Sequence, residues 1–456
     1  MTAGTDELQP LADRVAGLVA ERADRLAPQA TVEANVLVTR TRHGLTRFAN
    51  SSVHQHVGED TRSVRVELAV DGRTSVASSS ALDDDRLTEL VDATIEGARL
   101  QPVDPHWPGA APPAPVTVDE HADPGTIDPD PEQRARLVRD FVDAGPGLSA
   151  AGYVDSEGTE VAFASTAGQR AAAASTRATV DGIHQTATSA GSAHQTSLRL
   201  GDLDGAIAGA IAADRAVRSA GSADLDPGEL EVVLCPEAVA TVLTFLGVYG
   251  FNGKSHLEGS SFVRLGEQQL DRAVTLRNHP ADPRAIGLPF DPEGTPRHTS
   301  TLVENGTCLA LAHDRRTARR AGTASTGDAL PGGASIGAVP TSMVLRPGDR
   351  SPDELVGAVR RGLLVTQFHY CRVLDPKTLV VTGLTRNGTF LIEDGEVTGA
   401  IGNLRFTQSF VDALGEGRVA GLGDDDRHAT GEFGPGMVIA PSLHLTSWNF
   451  TGGAAG

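Results

Sequence analysis

The sequence predicts an α+β fold in which two helix–strands–helix units precede a β-rich, barrel- or sandwich-like second half. Three observations carry this. Within the first 225 residues, apolar positions pass twice from helical spacing to alternation and back. A stretch rich in Pro and acidic residues, 101–131, separates the two rounds. Beyond residue 226 turn dipeptides punctuate β-branched runs, and helical spacing becomes rare. The expected division is an N-terminal α/β domain over 1–225, with the 101–131 linker inside it, and a C-terminal β-rich domain over 226–456.

In chain order, Leu8, Leu11, Val15, Leu18 and Val19 place an amphipathic helix over 6–26. The segments VEANVLVTRT, LTRFANSSVHQHV and TRSVRVELAVDGRTSVASSS alternate as strands do, and Asp71-Gly72 predicts a hairpin in the last of them. ALDDDRLTELVDATIEGARL returns to helical spacing, with Asp83 and Asp84 near its start, where the helix dipole favours anions. Residues 101–131 read as a surface loop or linker rather than a packed element. The pattern then restarts. EQRARLVRDFVDAG reads as a helix, AGYVDSEGTEVAFAS as a hairpin, QRAAAASTRATVDGIHQTATSAG and HQTSLRL as strands, and DLDGAIAGAIAADRAVRSA as a helix. The two rounds form a weak internal repeat, visible in pattern alone.

In the second half, ELEVVLCP reads as a short buried strand, and Pro236 suits the first position of the helix that follows. Ser351-Pro352-Asp353-Glu354 is a capping box opening a helix over SPDELVGAVRRGLLV. Asn387-Gly388 and Asp394-Gly395 predict hairpin turns, and MVIAPSLHLTSWNFTGG closes the chain as a strand pair.

Lys plus Arg number 39 against 59 Asp plus Glu, a formal charge of -20. So acidic a surface repels phosphate backbones and anionic lipid, so neither nucleic acid nor membrane is an expected partner. The two lysines are Lys254 and Lys377. Cys235, Cys308 and Cys371 are odd in number, widely spaced and without a CxxC pair, which fits a reducing cytoplasm. No basic start followed by an apolar run suggests a secretory signal, and no apolar stretch is long enough to span a bilayer, so a cytoplasmic location is expected.

A catalytic zinc site needs His, Cys or carboxylate donors plus an open position, and H-E-x-x-H sets two imidazoles on one helix face. None of the 14 histidines stands in that motif. His54 and His56 share a strand face that is more simply a polar surface, and His184 and His194 flank a strand-like segment. His369 and Cys371 are expected on one face of a strand, a usable imidazole–thiolate pair, but no third donor lies near in sequence. There is no G-x-S-x-G elbow. Gly253-Lys254-Ser255 resembles the end of a phosphate loop whose opening glycine falls on Val248, and TGDALPGGASIGAVPTS reads as a loop.

One stretch stands apart: YGFNGKSHLEGSSF, after the apolar run PEAVATVLTFLGV. Together with RFANSSVHQHVGEDTRSVRVELAVDGRTSVASSSALDDDRL and IEDGEVTGAIGNLRF (Glu393, Gly395, Gly402, Asn403), it makes nearly the whole chain resemble the TldD/TldE (PmbA) family. The resemblance implies two related subunits that pair. The TldD type carries zinc on H-E-x-x-x-H, a following L-E-G-D and a C-terminal V-C-G cysteine. Setting Leu257-Glu258-Gly259 on L-E-G puts Gly250 and Ser255 in place of the histidines and Phe251 in place of the glutamate. His256 falls one position out of register. The region matching the cysteine reads GEFGPGMVIAP. The segment QFHYCRVLDPKTLVVTGLTRNG departs from the family's usual glycine-rich form, and Cys371 is unexpected there.

The resemblance therefore implies a TldE-like subunit without catalytic or metal-binding residues and with no cofactor of its own. A TldD-like partner would hold the zinc, and the pair would cleave unfolded or precursor peptides. Two alternatives stay open: a non-proteolytic, homodimeric scaffold or regulatory module, and an autonomous enzyme with a site moved to His369, Cys371 and His256.

Overall fold

Two copies of one helix–strands–helix unit build a single six-stranded sheet in the computed structural model, which describes residues 3–333, 335–431 and 438–453. The first unit is α1 (Ala3–Leu26), β1 (Val32–Ala49), β2 (Ser52–Val70), β3 (Arg73–Ser79) and α2 (Asp84–Arg99). After the short α3 (Pro124–Ile127), the second is α4 (Pro131–Asp143), β4 (Ser149–Ser165), β5 (Arg170–Gln185), β6 (Ala190–Ser197) and α5 (Gly205–Arg218). The strand order β3-β2-β1-β4-β5-β6 joins the units through an antiparallel β1–β4 pair. The repeat seen in the sequence is thus a repeat of topology.

All four long helices lie on one face. Ala34, Val36 and Val38, at the start of β1, pack under Val15, Val19, Leu87 and Val91 of α1 and α2. Phe48, near the end of β1, packs under Val138 and Phe141 of α4. The opposite face presents Leu37, Val161 and Phe163 to Phe290 of the second half. Asp83, Asp130 and Asp204 cap α2, α4 and α5, each accepting from a backbone N–H of the first turn.

Two strand expectations are corrected. LTRFANSSVHQHV is not one segment, because Asn50 and Ser51, with φ of 49° and 60°, reverse the chain between β1 and β2. Asn-Ser lacks the glycine that usually marks such a turn. AGYVDSEGTEVAFAS is not a hairpin, because β4 runs unbroken from Ser149 to Ser165. It is a central strand paired on both sides, and at Gly158 the chain faces Arg42 on one neighbour and Thr176 on the other. Ladder bonds on both edges outweigh a local turn preference.

The 101–131 stretch is irregular as expected but is packed. Trp107 is 6% exposed and donates from Nε1 to Glu33 at 3.0 Å. Ala111 N donates to Asn35 Oδ1 at 2.9 Å. Arg315 donates to the carbonyls of Pro108, Gly109 and Ala110 at 3.3, 2.8 and 3.0 Å. The segment is a strap between the first sheet and the second half.

The second half opens with β7 (Gly228–Leu234) and α6 (Pro236–Phe245), followed by α7 (Gly253–Leu257), β8 (Leu276–Asn278), β9 (Ser300–Glu304), β10 (Thr307–Cys308), α8 (Arg315–Ala321) and β11 (Met343–Leu345). Then come α9 (Pro352–Gly357), β12 (Arg361–Asp375), β13 (Val380–Glu393), β14 (Glu396–Ala400), β15 (Leu404–Ser409), α10 (Phe410–Ala413), β16 (Val419–Leu422), β17 (Arg427–Ala429), β18 (Val438–Ala440) and β19 (Leu443–Gly453). β12, β7, β19, β15 and β13 close into a barrel through β12–β13 pairing. A second sheet runs β10-β9-β8-β11-β18-β17. Every residue of α6 is buried between these layers, which explains its nearly uninterrupted apolar sequence.

Three details differ from expectation here. The capping box at Ser351 forms, but α9 ends at Gly357 because Arg361 onward pairs with β13 and β7. Asp394-Gly395 turns the β13–β14 hairpin, whereas Asn387-Gly388 is a bulge inside β13. The final segment is no strand pair: β18 joins the second sheet and β19 the barrel.

Candidate functional site

YGFNGKSHLEGSSF, the stretch expected to correspond to the family's metal motif, is not one helix. α6 continues through a π-helical turn, Leu246–Gly250, and stops at Phe251. Asn252 then caps α7, its Oδ1 accepting from Lys254 N and Ser255 N at 2.9 and 3.3 Å and its Nδ2 donating to Ile336 O at 2.8 Å. Phe251 and Gly253 exchange backbone bonds with Ala312. Gly250 and Ser255 therefore flank a break rather than sharing a helix face.

Gly250, Phe251 and Ser255 are each packed against a neighbour or tied by hydrogen bonds. A Cβ at Gly250 would lie 2.0 Å from the ring of Phe262. Phe251 is fully buried and meets Phe262 edge-on, with ring centroids 5.9 Å apart. The Ser255 carbonyl accepts from the backbone of Ser260 and Ser261. His256 is half-buried on α7. Glu258 is exposed and pairs with Lys254 at 3.3 Å, while Lys254 Nζ also donates to Ser335 O. With glycine, phenylalanine and serine at 250, 251 and 255 and an aromatic ring against the first of them, these residues do not fit a zinc ion. The part of the C-terminal expectation that falls on 432–437, EFGPGM, lies outside the described residues.

His369 and Cys371 do not share a face, which corrects the strand-parity expectation. Tyr370, with φ 57°, forms a bulge where the β12–β13 register shifts between His369 and Arg372. The bulge turns Cys371 inward with Phe368, against Gly383 and Phe406. His369 stays outside, and burial together with Arg386 and Arg372 lowers its pKa. His54 and His56 lie exposed on β2, with His56 Nδ1 3.0 Å from Thr46 Oγ1. His184 is fully buried, stacks on Phe141 at 5.0 Å and donates from Nε2 to the Phe141 carbonyl. Burial lowers its pKa, so it is a core histidine. His194 contacts Asp181 Oδ2 at 3.1 Å and Thr196 Oγ1 at 2.8 Å, and touches Thr430 at the junction with the second half. Among the described residues, no three His, Cys, Asp or Glu side chains gather closely enough to hold a metal ion. No helix among them is long and apolar enough to cross a membrane.

One buried acidic network carries no signature in the sequence. Asp291 accepts from the N–H groups of Glu293, Thr295 and Ala329. Asp328 accepts from Asn278 and pairs with Arg297 at 3.3 Å. Glu293 faces a cavity of about 190 Å³ that Glu67 and Arg65 of β2 complete. Burial raises Asp291 to about 7 and Glu293 to about 8, the second helped by the neighbouring Asp291 charge. In the sequence, Asp291-Pro292-Glu293 is indistinguishable from a surface turn.

Residues 227–452 match the PmbA/TldA metallopeptidase C-terminal domain. A metalloprotease of Methanothermobacter thermautotrophicus is 26% identical over 234 residues, half of each chain. A metalloprotease of Methanocaldococcus jannaschii is 25% identical over 207 residues, 44% of this chain and 46% of its own. The matched region thus spans about half the length of these curated relatives. The crystal structure of TldE from Thermococcus kodakarensis superimposes with a TM-score of 0.85 over 97% of this chain and 100% of that one, at 17% identity, a likeness of fold. With these matches and the order of motifs along both halves, the chain belongs to the TldD/TldE (PmbA) family of metallopeptidase-like proteins.

Proposed function

We propose that this chain is the TldE-type, zinc-free subunit of a two-component TldD/TldE-type metalloprotease. A TldD-like partner carries the zinc, and the pair acts on unfolded or precursor peptides in the cytoplasm. This chain's part is to complete the chamber and to hold substrate backbone along a strand edge. The observation that supports the reading is the Gly250–Phe262 contact. The space a first histidine ligand needs is occupied by a ring, and the position of the catalytic glutamate is a core phenylalanine. A lost site that had merely lost its ligands would leave a hollow, whereas this one is packed.

The test is to purify the chain alone and together with a TldD-like chain from the same genome. Zinc content and cleavage of an unstructured peptide are then measured in both. The expected result is less than ~0.1 zinc per chain and no cleavage alone, with both restored in the co-purified pair. Stoichiometric zinc and cleavage by the chain alone would overturn the reading.

A further inference from the structure

The helix pairs α1/α2 and α4/α5 cover the two ends of β1 and leave its middle open. There, near the centre of the β1–β4 ladder, Arg40, Arg42 and Gly44 alternate on the helix-bearing face. Gly44 lies opposite Gly58 on β2 and Ser156 on β4. No atom stands within 4 Å of a Cβ placed on Gly58, so the sheet has a pit there, roofed by residues 127–131 and about 390 Å³ in volume.

The guanidinium of Arg134, from α4, forms one wall. It lies so close over Gly44 that a Cβ at that position would be 2.6 Å from its Cζ. Arg134 is 3% exposed. Among the described residues its hydrogen bond is from Nη1 to Ser156 Oγ at 2.9 Å, and Nε has no partner. The other cations of the pit are already matched. Arg40 grips Asp60 with two bonds of 2.9 and 2.6 Å, and Arg42 meets Glu160 at 3.0 Å. Asp155, Asp128 and Asp130 act on Arg134 only at a distance, and burial lowers its pKa in spite of them. A buried guanidinium with a single hydroxyl partner is costly unless an anion completes it. Ser156 Oγ accepts from Nη1 and keeps its own proton to donate.

We propose that this pit binds a carboxylate, from a peptide C-terminus or a compact carboxylic acid, gripped by Arg134 and Ser156 over the Gly44–Gly58 floor. The neighbouring aspartates favour a singly charged, planar anion over a phosphate dianion, and a planar carboxylate matches a guanidinium edge. The site does not depend on whether the chain joins a peptidase.

Calorimetric titration of the full chain tests this with four probes: trialanine, its C-terminal amide, propionate and inorganic phosphate. Trialanine or propionate should bind, and binding of one without the other names the source of the carboxylate. Gly58→Leu, at a position where an added Cβ meets no atom within 4 Å, and Arg134→Gln should each weaken binding about tenfold or more, and the amide should bind about tenfold more weakly than the free acid. Thermal melts report folding, and if Arg134→Gln does not fold, Gly58→Leu decides alone. The proposal fails if neither carboxylate binds at millimolar concentration, if the amide binds as well as the acid, if Gly58→Leu leaves binding unchanged, or if phosphate is the one probe that binds.

Discussion

The ring of Phe262 occupies the space a side chain on Gly250 would need, its nearest carbon 2.0 Å from the Cβ position. Phe251, the next residue, meets the same ring edge-on. The two phenylalanines and the glycine are mutually fitted, so restoring the family's ligands is a packing problem before it is a metal problem.

Gly250→His is therefore expected to destabilise the chain by about 3 kcal/mol or more through overpacking. Adding Phe251→Glu buries a carboxyl in an apolar core at further cost. The combined variant Gly250→His, Phe251→Glu, Ser255→His should gain no stoichiometric zinc, because Asn252 breaks the helix between the two histidines. Denaturant melts and elemental analysis check both statements.

Cys371 and His369 should respond independently. Cys371→Ser puts a hydroxyl among Gly383 and Phe406 and is expected to cost about 1–2 kcal/mol. His369→Ala, on the outside of the bulge, should change stability by less than ~0.5 kcal/mol. The double variant should be additive within about 0.5 kcal/mol, and metal content should not move. A larger coupling in denaturant melts would mean that the two side chains act together.

Glu293 carries a pH signature. Its folded pKa, about 8, stands above the ordinary 4.5, so the folded state binds the proton more tightly than the unfolded chain. Its contribution is fully present below about pH 4.5 and is lost as pH rises toward 8. Glu293→Gln should flatten the dependence of Tm on pH between those limits and raise Tm at pH 8, each kcal/mol regained moving it about 1 °C in a chain of 456 residues. Parallel Tm-versus-pH curves for the two proteins would contradict this.

Arg315 holds the 101–131 strap through three carbonyls. Arg315→Ala should release it and expose it to proteolysis, at a cost of about 2–3 kcal/mol. The check is limited proteolysis with the cleavage sites mapped by mass spectrometry. Cuts within 101–131 should appear in the variant well before they appear in the parent.

Local periodicity and side-chain identity are properties of the chain alone. Helical and alternating spacing made the two helix–strands–helix units legible, and the Asp caps, the Ser351 capping box and the Asp394-Gly395 turn are local devices that act as their residues dictate. The absence of His and Glu at 250, 251 and 255 is likewise written in the chain. Features that depend on distant neighbours were set in three dimensions. Ladder pairing on both sides kept β4 straight through Ser156-Glu157-Gly158, and pairing with β7 and β13 ended α9 early. The bulge at Tyr370 parted His369 from Cys371, because strand parity holds only until a register shifts. Phe262 closing over Gly250, and Arg134 lying buried over Gly44, are contacts between segments that sequence spacing does not connect. A side chain's surroundings are set by what the fold brings beside it, and that is why both the packing at Gly250 and the open pit became visible only in three dimensions.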